Sequence, residues 1–113
     1  MRPNLLAWQW SDYAAKHRHP VNLLLHVPAV FLFQIGTIIL VAGVVGRALG
    51  AVIVGVGCMG ISVAVQGRGH RLEREQPAPF SGAADFVSRL FAEQWITFPR
   101  YVLSGGWFRA FGR

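Results

Sequence analysis

The chain contains little cysteine and little charge. Its single cysteine, Cys58, excludes an intrachain disulfide and any metal site built from several thiolates. Only 14% of its 113 residues are charged, whereas 53% are hydrophobic, which is too apolar for an ordinary soluble domain of this size. The composition therefore predicts a single small membrane domain, residues 1–113.

Acidic residues are scarce as well, since 5 Asp and Glu oppose 11 Lys and Arg. The basic residues flank apolar segments and do not form an aromatic-interleaved basic face, so the pattern argues against a nucleic-acid partner and favours contacts with membrane lipids. Residues 1–16 show no short apolar core followed by a small-residue cleavage site, so we do not expect them to be a removable signal peptide. Residues 1–18 instead carry Trp8, Trp10 and Tyr13, which predict an interfacial helix.

Two apolar stretches, residues 20–46 and 48–68, dominate the sequence. Each is long enough to cross a hydrocarbon core of roughly 30 Å, which needs about 20 helical residues. The short connection around Arg47 predicts a transmembrane hairpin. The second stretch contains internal glycines that favour close helix packing in lipid, although glycine is also common in membrane helices: Gly55, Gly57 and Gly60.

A hairpin returns the chain to the side of the membrane from which it started. Five basic residues lie at that side, against Arg47 alone at the turn: Lys16, Arg18, Arg68, Arg71 and Arg74. The positive-inside rule then predicts a bacterial inner-membrane protein with both termini in the cytoplasm.

The C-terminal part predicts one or two shorter membrane-associated helices, with residues 81–98 and 99–111 divided at Pro99. The expected fold is thus all-α, a small integral membrane helical bundle. Self-association is a further expectation, because a two-helix hairpin buries little surface by itself.

The same hairpin geometry gathers all four histidines of the chain at one boundary. His26 lies more than a turn inside an apolar segment, where a polar side chain indicates a functional site. Imidazoles beside a carboxylate are ligands suited to iron or zinc. His17 and His19 border lysine and arginine, and an interfacial basic role also explains them. Glu73 is equally explained by surface ion pairs with neighbouring arginines.

Two motifs resemble those of the Mpo-like membrane family. The first runs from Tyr13 and places four residues at the motif's spacing: His17, Pro20, Asn22 and His26. The second is Gly69-His70, followed by an acidic residue and then Pro77-Ala78. The similarity extends from about Tyr13 to Phe80.

This resemblance implies an iron(II)-dependent dioxygenase that shortens 2-hydroxy fatty acids by one carbon, with the lipid and dioxygen as its partners. It implies His17, His26 and His70 as metal ligands and catalytic residues, with Fe²⁺ as the cofactor and Zn²⁺ as the alternative. The fourth ligand is left open among Glu73, Glu93 and water, because the spacing from His70 to Glu73 is one residue shorter than in the fungal member of that family.

Three further residues receive smaller roles from the resemblance. Asn22 and Tyr13 are supporting residues of the motif. His19 occupies a position that is often asparagine, so it is assigned no ligand role. The other functions that fit the residues are a non-enzymatic membrane scaffold or subunit, a zinc-dependent lipid hydrolase using the same histidines, and haem ligation by a histidine pair.

Overall fold

A computed structural model describes residues 2–112 of the chain. These residues form six α-helices, a 3₁₀ turn and a π-helical segment, and contain no β-strand. The elements, in chain order, are α1 (Leu5–Ser11), the 3₁₀ turn (Ala14–Lys16), α2 (Pro20–Val45), α3 (Leu49–His70), α4 (Ala83–Ala92), the π segment (Glu93–Thr97), α5 (Phe98–Leu103) and α6 (Gly106–Phe111). The predicted all-helical fold is confirmed.

Helices α2 and α3 form the packed hairpin that the apolar stretches predict. A Cβ atom placed on Gly55 would lie 2.6 Å from the backbone nitrogen of Leu40 and 2.7 Å from the carbonyl oxygen of Gly36. Only glycine allows the two backbones to approach so closely. Gly57 and Gly60 have nothing within 4 Å of such an atom, so of the three glycines in the prediction Gly55 alone lies in the helix interface.

The outer faces of α2 and α3 are apolar and exposed. The side chains there include Phe31, Ile35, Ile38, Ile53, Val54 and Ile61. Both helices are long and apolar enough to cross a membrane. An exposed apolar surface of this extent is typical of a face that contacts a membrane or another protein.

The N-terminal segment differs from the single helix expected over residues 1–18. Helix α1 ends at Ser11, and the chain makes a separate 3₁₀ turn before reaching His17, which lies outside any helix. His19 then begins α2 as its N-cap, because its Nδ1 atom accepts a hydrogen bond from the Val21 N–H at 3.1 Å. This non-helical link lets the His17 side chain turn inward, where it is only 4% exposed.

The C-terminal helices differ from the expected pair divided at Pro99. Helix α4, the π segment and α5 form one helical run, and the chain breaks at Gly105, where φ is +82°. The N–H of Phe98 donates to the carbonyl of Glu93, five residues back. This wider turn accommodates the following proline, which has no N–H to donate.

The core lies where α2 meets the N-terminal turn, α5 and α6. Its buried members are Tyr13, Leu23, Val30, Phe98, Tyr101 and Ala110. Trp107 on α6 packs against this cluster and donates its indole N–H to the carbonyl of Leu23 at 3.0 Å. The start of α2, which carries His26, is thereby held between the N-terminal turn and the C-terminal helices α5 and α6.

Candidate metal centre

Three histidines and one glutamate from separate segments meet in the interior. His17 follows the 3₁₀ turn, His26 lies in the second turn of α2, His70 ends α3, and Glu93 begins the π segment. One potential ligand atom from each residue lies within 4.8 Å of the others. The structure therefore brings together the three histidines that the motifs indicate and adds the carboxylate of Glu93.

The three imidazole rings form a nearly regular triangle. Their centroids are 4.8 Å apart between His17 and His70, and 4.9 Å apart for both pairs that include His26. The ring planes cross at 80° to 87°, so no two rings stack. The rings therefore meet edge to face, and one ligand nitrogen of each lies within 4.8 Å of those of the other two.

Hydrogen bonds on the outer side fix the tautomers of two rings. His17 donates from Nδ1 to the carbonyl of Tyr13 at 2.7 Å, and His26 donates from Nδ1 to the carbonyl of Asn22 at 3.0 Å. Because a carbonyl only accepts, each Nδ1 carries the hydrogen, and each neutral ring presents a bare Nε2 lone pair. Both Nε2 atoms, and Nδ1 of His70, are buried without a hydrogen-bond partner among the described residues.

The Glu93 carboxylate faces these lone pairs. Its Oε2 atom lies 3.4 Å from His17 Nε2 and 3.6 Å from His26 Nε2, and it accepts a 2.7 Å hydrogen bond from the Tyr13 hydroxyl. Ordinary nitrogen–oxygen hydrogen bonds are shorter, about 2.7–3.2 Å. A tetrahedral ion with bonds of about 2.1 Å separates its ligand atoms by about 3.4 Å. The separations of His17 and His26 from Glu93 Oε2 thus suit a divalent metal ion between these three ligands.

The charge states follow from the surroundings. Burial alone raises the pKa of Glu93, but positive charge on His17 and His26, whose rings donate to the carboxylate only when they are protonated, outweighs burial and holds the pKa well below its usual range. Positive charge beside the carboxylate comes either from protons on the imidazoles or from a metal ion. Burial and the adjacent Glu93 raise the pKa of Tyr13 well above its usual range, so its hydroxyl keeps its proton and donates.

Glu73, one candidate for the fourth ligand, does not belong to this group. Its buried carboxylate accepts hydrogen bonds from the backbone N–H groups of Arg18 and His19 at 2.9 and 3.0 Å, and from Asn22 Nδ2 at 2.6 Å. It therefore ties the link before α2 to the end of α3, where sequence reasoning expected surface ion pairs. Asn22 serves both sides, since its carbonyl orients His26.

A second buried polar network holds the π segment beside the cluster. The side-chain amides of Gln66 and Gln94 exchange two hydrogen bonds of 2.8 and 2.9 Å, and Gln34 donates to the carbonyl of Gln94 at 2.8 Å. The network links α2, α3 and the π segment one residue from Glu93. Its sequence signal is the presence of glutamines inside otherwise apolar helices. Thr37, also on α2, does not join the network, because its hydroxyl donates to the carbonyl of Phe33 within the same helix.

Two cavities reach the cluster. The smaller, about 60 Å³, touches His17, His70 and Glu93 beside α1. The larger, about 310 Å³, touches His70 and Glu93 but neither His17 nor His26, and its walls include apolar side chains and one exposed arginine: Val63, Phe80, Phe86, Leu90 and Arg71. The centre is thus approached from the side of His70 and Glu93.

This set of donors can hold a metal ion. Imidazole nitrogens with one carboxylate oxygen are typical ligands of zinc and of iron(II), and the two outer carbonyls supply the supporting hydrogen bonds that metal-binding histidines generally have. Comparisons of the chain with protein-family models, with curated proteins and with solved structures found no match.

Proposed function

We propose that this chain is an iron(II)-dependent dioxygenase that shortens 2-hydroxy fatty acids by one carbon. One observation carries the proposal: the buried His17 and His26 hold unpartnered Nε2 atoms 3.4 and 3.6 Å from Glu93 Oε2, and His70 adds a ligand atom within 4.8 Å of the others. Unpaired lone pairs facing a carboxylate in a low-dielectric interior are costly, and a bound cation removes that cost. The motif resemblance to the Mpo-like family supplies the choice of iron and of the reaction.

The larger cavity is the proposed substrate site. His70 and Glu93 close its inner end, while Val63 and Leu90 give it apolar walls. A fatty acid fits this polarity, because its head reaches the metal ligands while its chain stays in apolar surroundings. Arg71 lies at the cavity and offers a cation to the carboxylate of the substrate.

The proposed reaction balances without a further reductant. One 2-hydroxy acid and one dioxygen give the shortened acid, carbon dioxide and water, as the bond between the first two carbons breaks and dioxygen takes up four electrons. The metal supplies coordination positions for the hydroxy acid and dioxygen. The chain's own residues hold the metal, orient the acid head and keep bulk water from the buried side of the centre.

The membrane setting is part of the proposal. The exposed apolar faces of α2 and α3 lie in lipid, and both termini face the cytoplasm of a bacterial cell. Single cysteines replacing Arg18, Arg74 and Arg47 in a Cys58→Ser background test this orientation with an impermeant thiol reagent. We expect labelling of Arg47→Cys from the outside and protection of the other two; labelling of all three from one side contradicts the hairpin topology.

Metal analysis of protein purified anaerobically with iron supplied is the first test of the activity. We expect about one iron per chain and oxygen consumption with a 2-hydroxy fatty acid. The variant His26→Ala should lose both while keeping its helical content. His19→Ala is the matched control, because the His19 side chain caps α2 and its hydrogen bond to Glu73 comes from the backbone, so this variant should keep both. Wild-type protein without bound metal contradicts the proposal.

Zinc is the second candidate metal, because the 3.4 Å ligand spacing is that of a tetrahedral site. Bound zinc, without oxygen consumption but with ester or amide hydrolysis, would identify a lipid hydrolase instead. A haem spectrum would assign the histidines to haem. Full stability without metal or activity would leave a membrane scaffold or subunit.

A further inference from the structure

Tyr13 contacts two members of the metal centre in three ways. Its hydroxyl donates to Glu93 Oε2 at 2.7 Å, and its carbonyl accepts the Nδ1–H of His17 at 2.7 Å. Its ring also lies against the His17 ring, with centroids 3.8 Å apart. Tyr13 is itself only 4% exposed and meets the ring of Tyr101 edge-on at 5.2 Å. Tyr13 therefore orients both ligands, Glu93 through its hydroxyl and His17 through its backbone carbonyl.

We propose that Tyr13 is a positioning residue that keeps Glu93 a one-oxygen ligand. The inference rests on the proposed metal site and adds to it a determinant of coordination number. The oxygen that accepts from Tyr13 is the same oxygen that faces Nε2 of His17 and of His26. The hydrogen bond fixes the rotation of the carboxylate, so the second oxygen does not turn toward the ion.

This restraint matters because few coordination positions of the ion are left open by the four protein ligands. Three imidazoles and one carboxylate oxygen leave two positions of an octahedral ion open. A carboxylate that swung to bind through both oxygens would occupy one of them. The hydroxy acid and dioxygen both need open positions on the side of His70 and Glu93, where the larger cavity meets the centre. Tyr13 therefore preserves room for ligands.

The same residue sets the donor atom of His17. With its Nδ1–H held by the Tyr13 carbonyl, the ring has Nε2 available for the metal. This contact comes from the backbone, so it persists in a side-chain variant. Replacing Tyr13 by Phe thus removes the hydroxyl alone and leaves the tautomer of His17 and the ring contact in place.

Cobalt(II) titration of the purified full-length protein in detergent tests the inference without any turnover. The visible spectrum of cobalt reports coordination number and the titration reports affinity. For Tyr13→Phe we expect one cobalt per chain, an affinity about 10–100-fold weaker, as for other lost partners of metal ligands, and a spectrum shifted toward higher coordination. Thr37→Val is the control, because it also removes one hydroxyl hydrogen bond, on α2 away from the centre.

A double-mutant cycle separates positioning from mere packing. If Tyr13 acts through Glu93, Tyr13→Phe should change neither the affinity nor the spectrum once Glu93→Ala is present, whereas independent packing losses would add. Identical titrations of wild type and Tyr13→Phe overturn the inference while leaving the metal site intact. Failure of the wild type to bind cobalt overturns the proposed function itself. Loss of helical content in Tyr13→Phe also overturns the inference, because the hydroxyl would then serve folding.

Discussion

Substitution of Gly69 by alanine is expected to damage the metal centre through its supporting contacts. A Cβ atom on Gly69 would lie 2.1 Å from Asn22 Oδ1, about 1.3 Å closer than the 3.4 Å of ordinary contact. The Asn22 side chain is fully buried and must move to relieve this overlap. Its movement breaks the 2.6 Å hydrogen bond to Glu73 and disturbs the turn whose carbonyl orients His26.

The size of the effect follows from the contacts involved. Loss of a hydrogen bond to a charged group costs about 1.5–3 kcal/mol, and replacing a helical glycine by alanine returns about 0.5–1 kcal/mol. We therefore expect Gly69→Ala to lose about 1–2 kcal/mol of unfolding free energy. Because His70 is the next residue and Asn22 supports His26, metal affinity should also fall about 10–100-fold.

Gly67 provides the matched control. It lies two residues earlier on α3, and nothing lies within 4 Å of a Cβ placed there. Gly67→Ala should gain about 0.5–1 kcal/mol and bind metal as the wild type does. Denaturant titration in detergent, followed by circular dichroism and paired with cobalt titration, measures both quantities. Equal stability and affinity for the two variants would refute the proposed role of the Gly69 contact.

Three other perturbations have defined outcomes. Gly55→Ala forces the hairpin apart and should lower the free energy of unfolding by up to about 2 kcal/mol in the same assay. Gly57→Ala should be neutral or stabilising, and the reverse order of the two variants would contradict the packed interface. Gln66→Leu leaves the buried Gln94 amide without its partner and should cost about 1–3 kcal/mol, part of which the double variant with Gln94→Leu recovers. A hydrogen bond from a backbone N–H, and then two arginines, lower the pKa of Asp85. Its contribution to the free energy of unfolding is therefore present above about pH 4 and is lost as the pH falls further. Asp85→Asn should make unfolding less sensitive to acid in that range.

The hairpin, and the proximity of the histidines at its open end, can be predicted from the sequence because both follow from the pattern of apolar and polar residues. Two apolar stretches with a short turn require the start of one helix to lie beside the end of the other. His26 and His70 are at those two places, and the structure brings their rings to 4.9 Å. The bounds of the hairpin helices, α2 (Pro20–Val45) and α3 (Leu49–His70), also lie within two residues of the expected 20–46 and 48–68.

The carboxylate of the centre is not accessible in this way. Glu93 begins the π segment that follows α4, far in sequence from the three histidines. Neither the π segment nor its packing against the hairpin follows from hydrophobic periodicity. Sequence reasoning named it only as one of three choices. From the sequence, Glu73 is a candidate ligand or a partner in surface ion pairs. In the structure its carboxylate accepts hydrogen bonds from the backbone N–H groups of Arg18 and His19, and tertiary packing determines the position of that link.

The distribution of the four ligands along the chain has a consequence for biogenesis. His17 and His26 are synthesised early, His70 arrives after the turn of the hairpin, and Glu93 comes only after α4 has been made. A metal ion held by all four residues, as we propose, could therefore be bound completely only after α4 has been made. Such an ion would stabilise the chain only once the N-terminal turn, the hairpin and the last helices have come together.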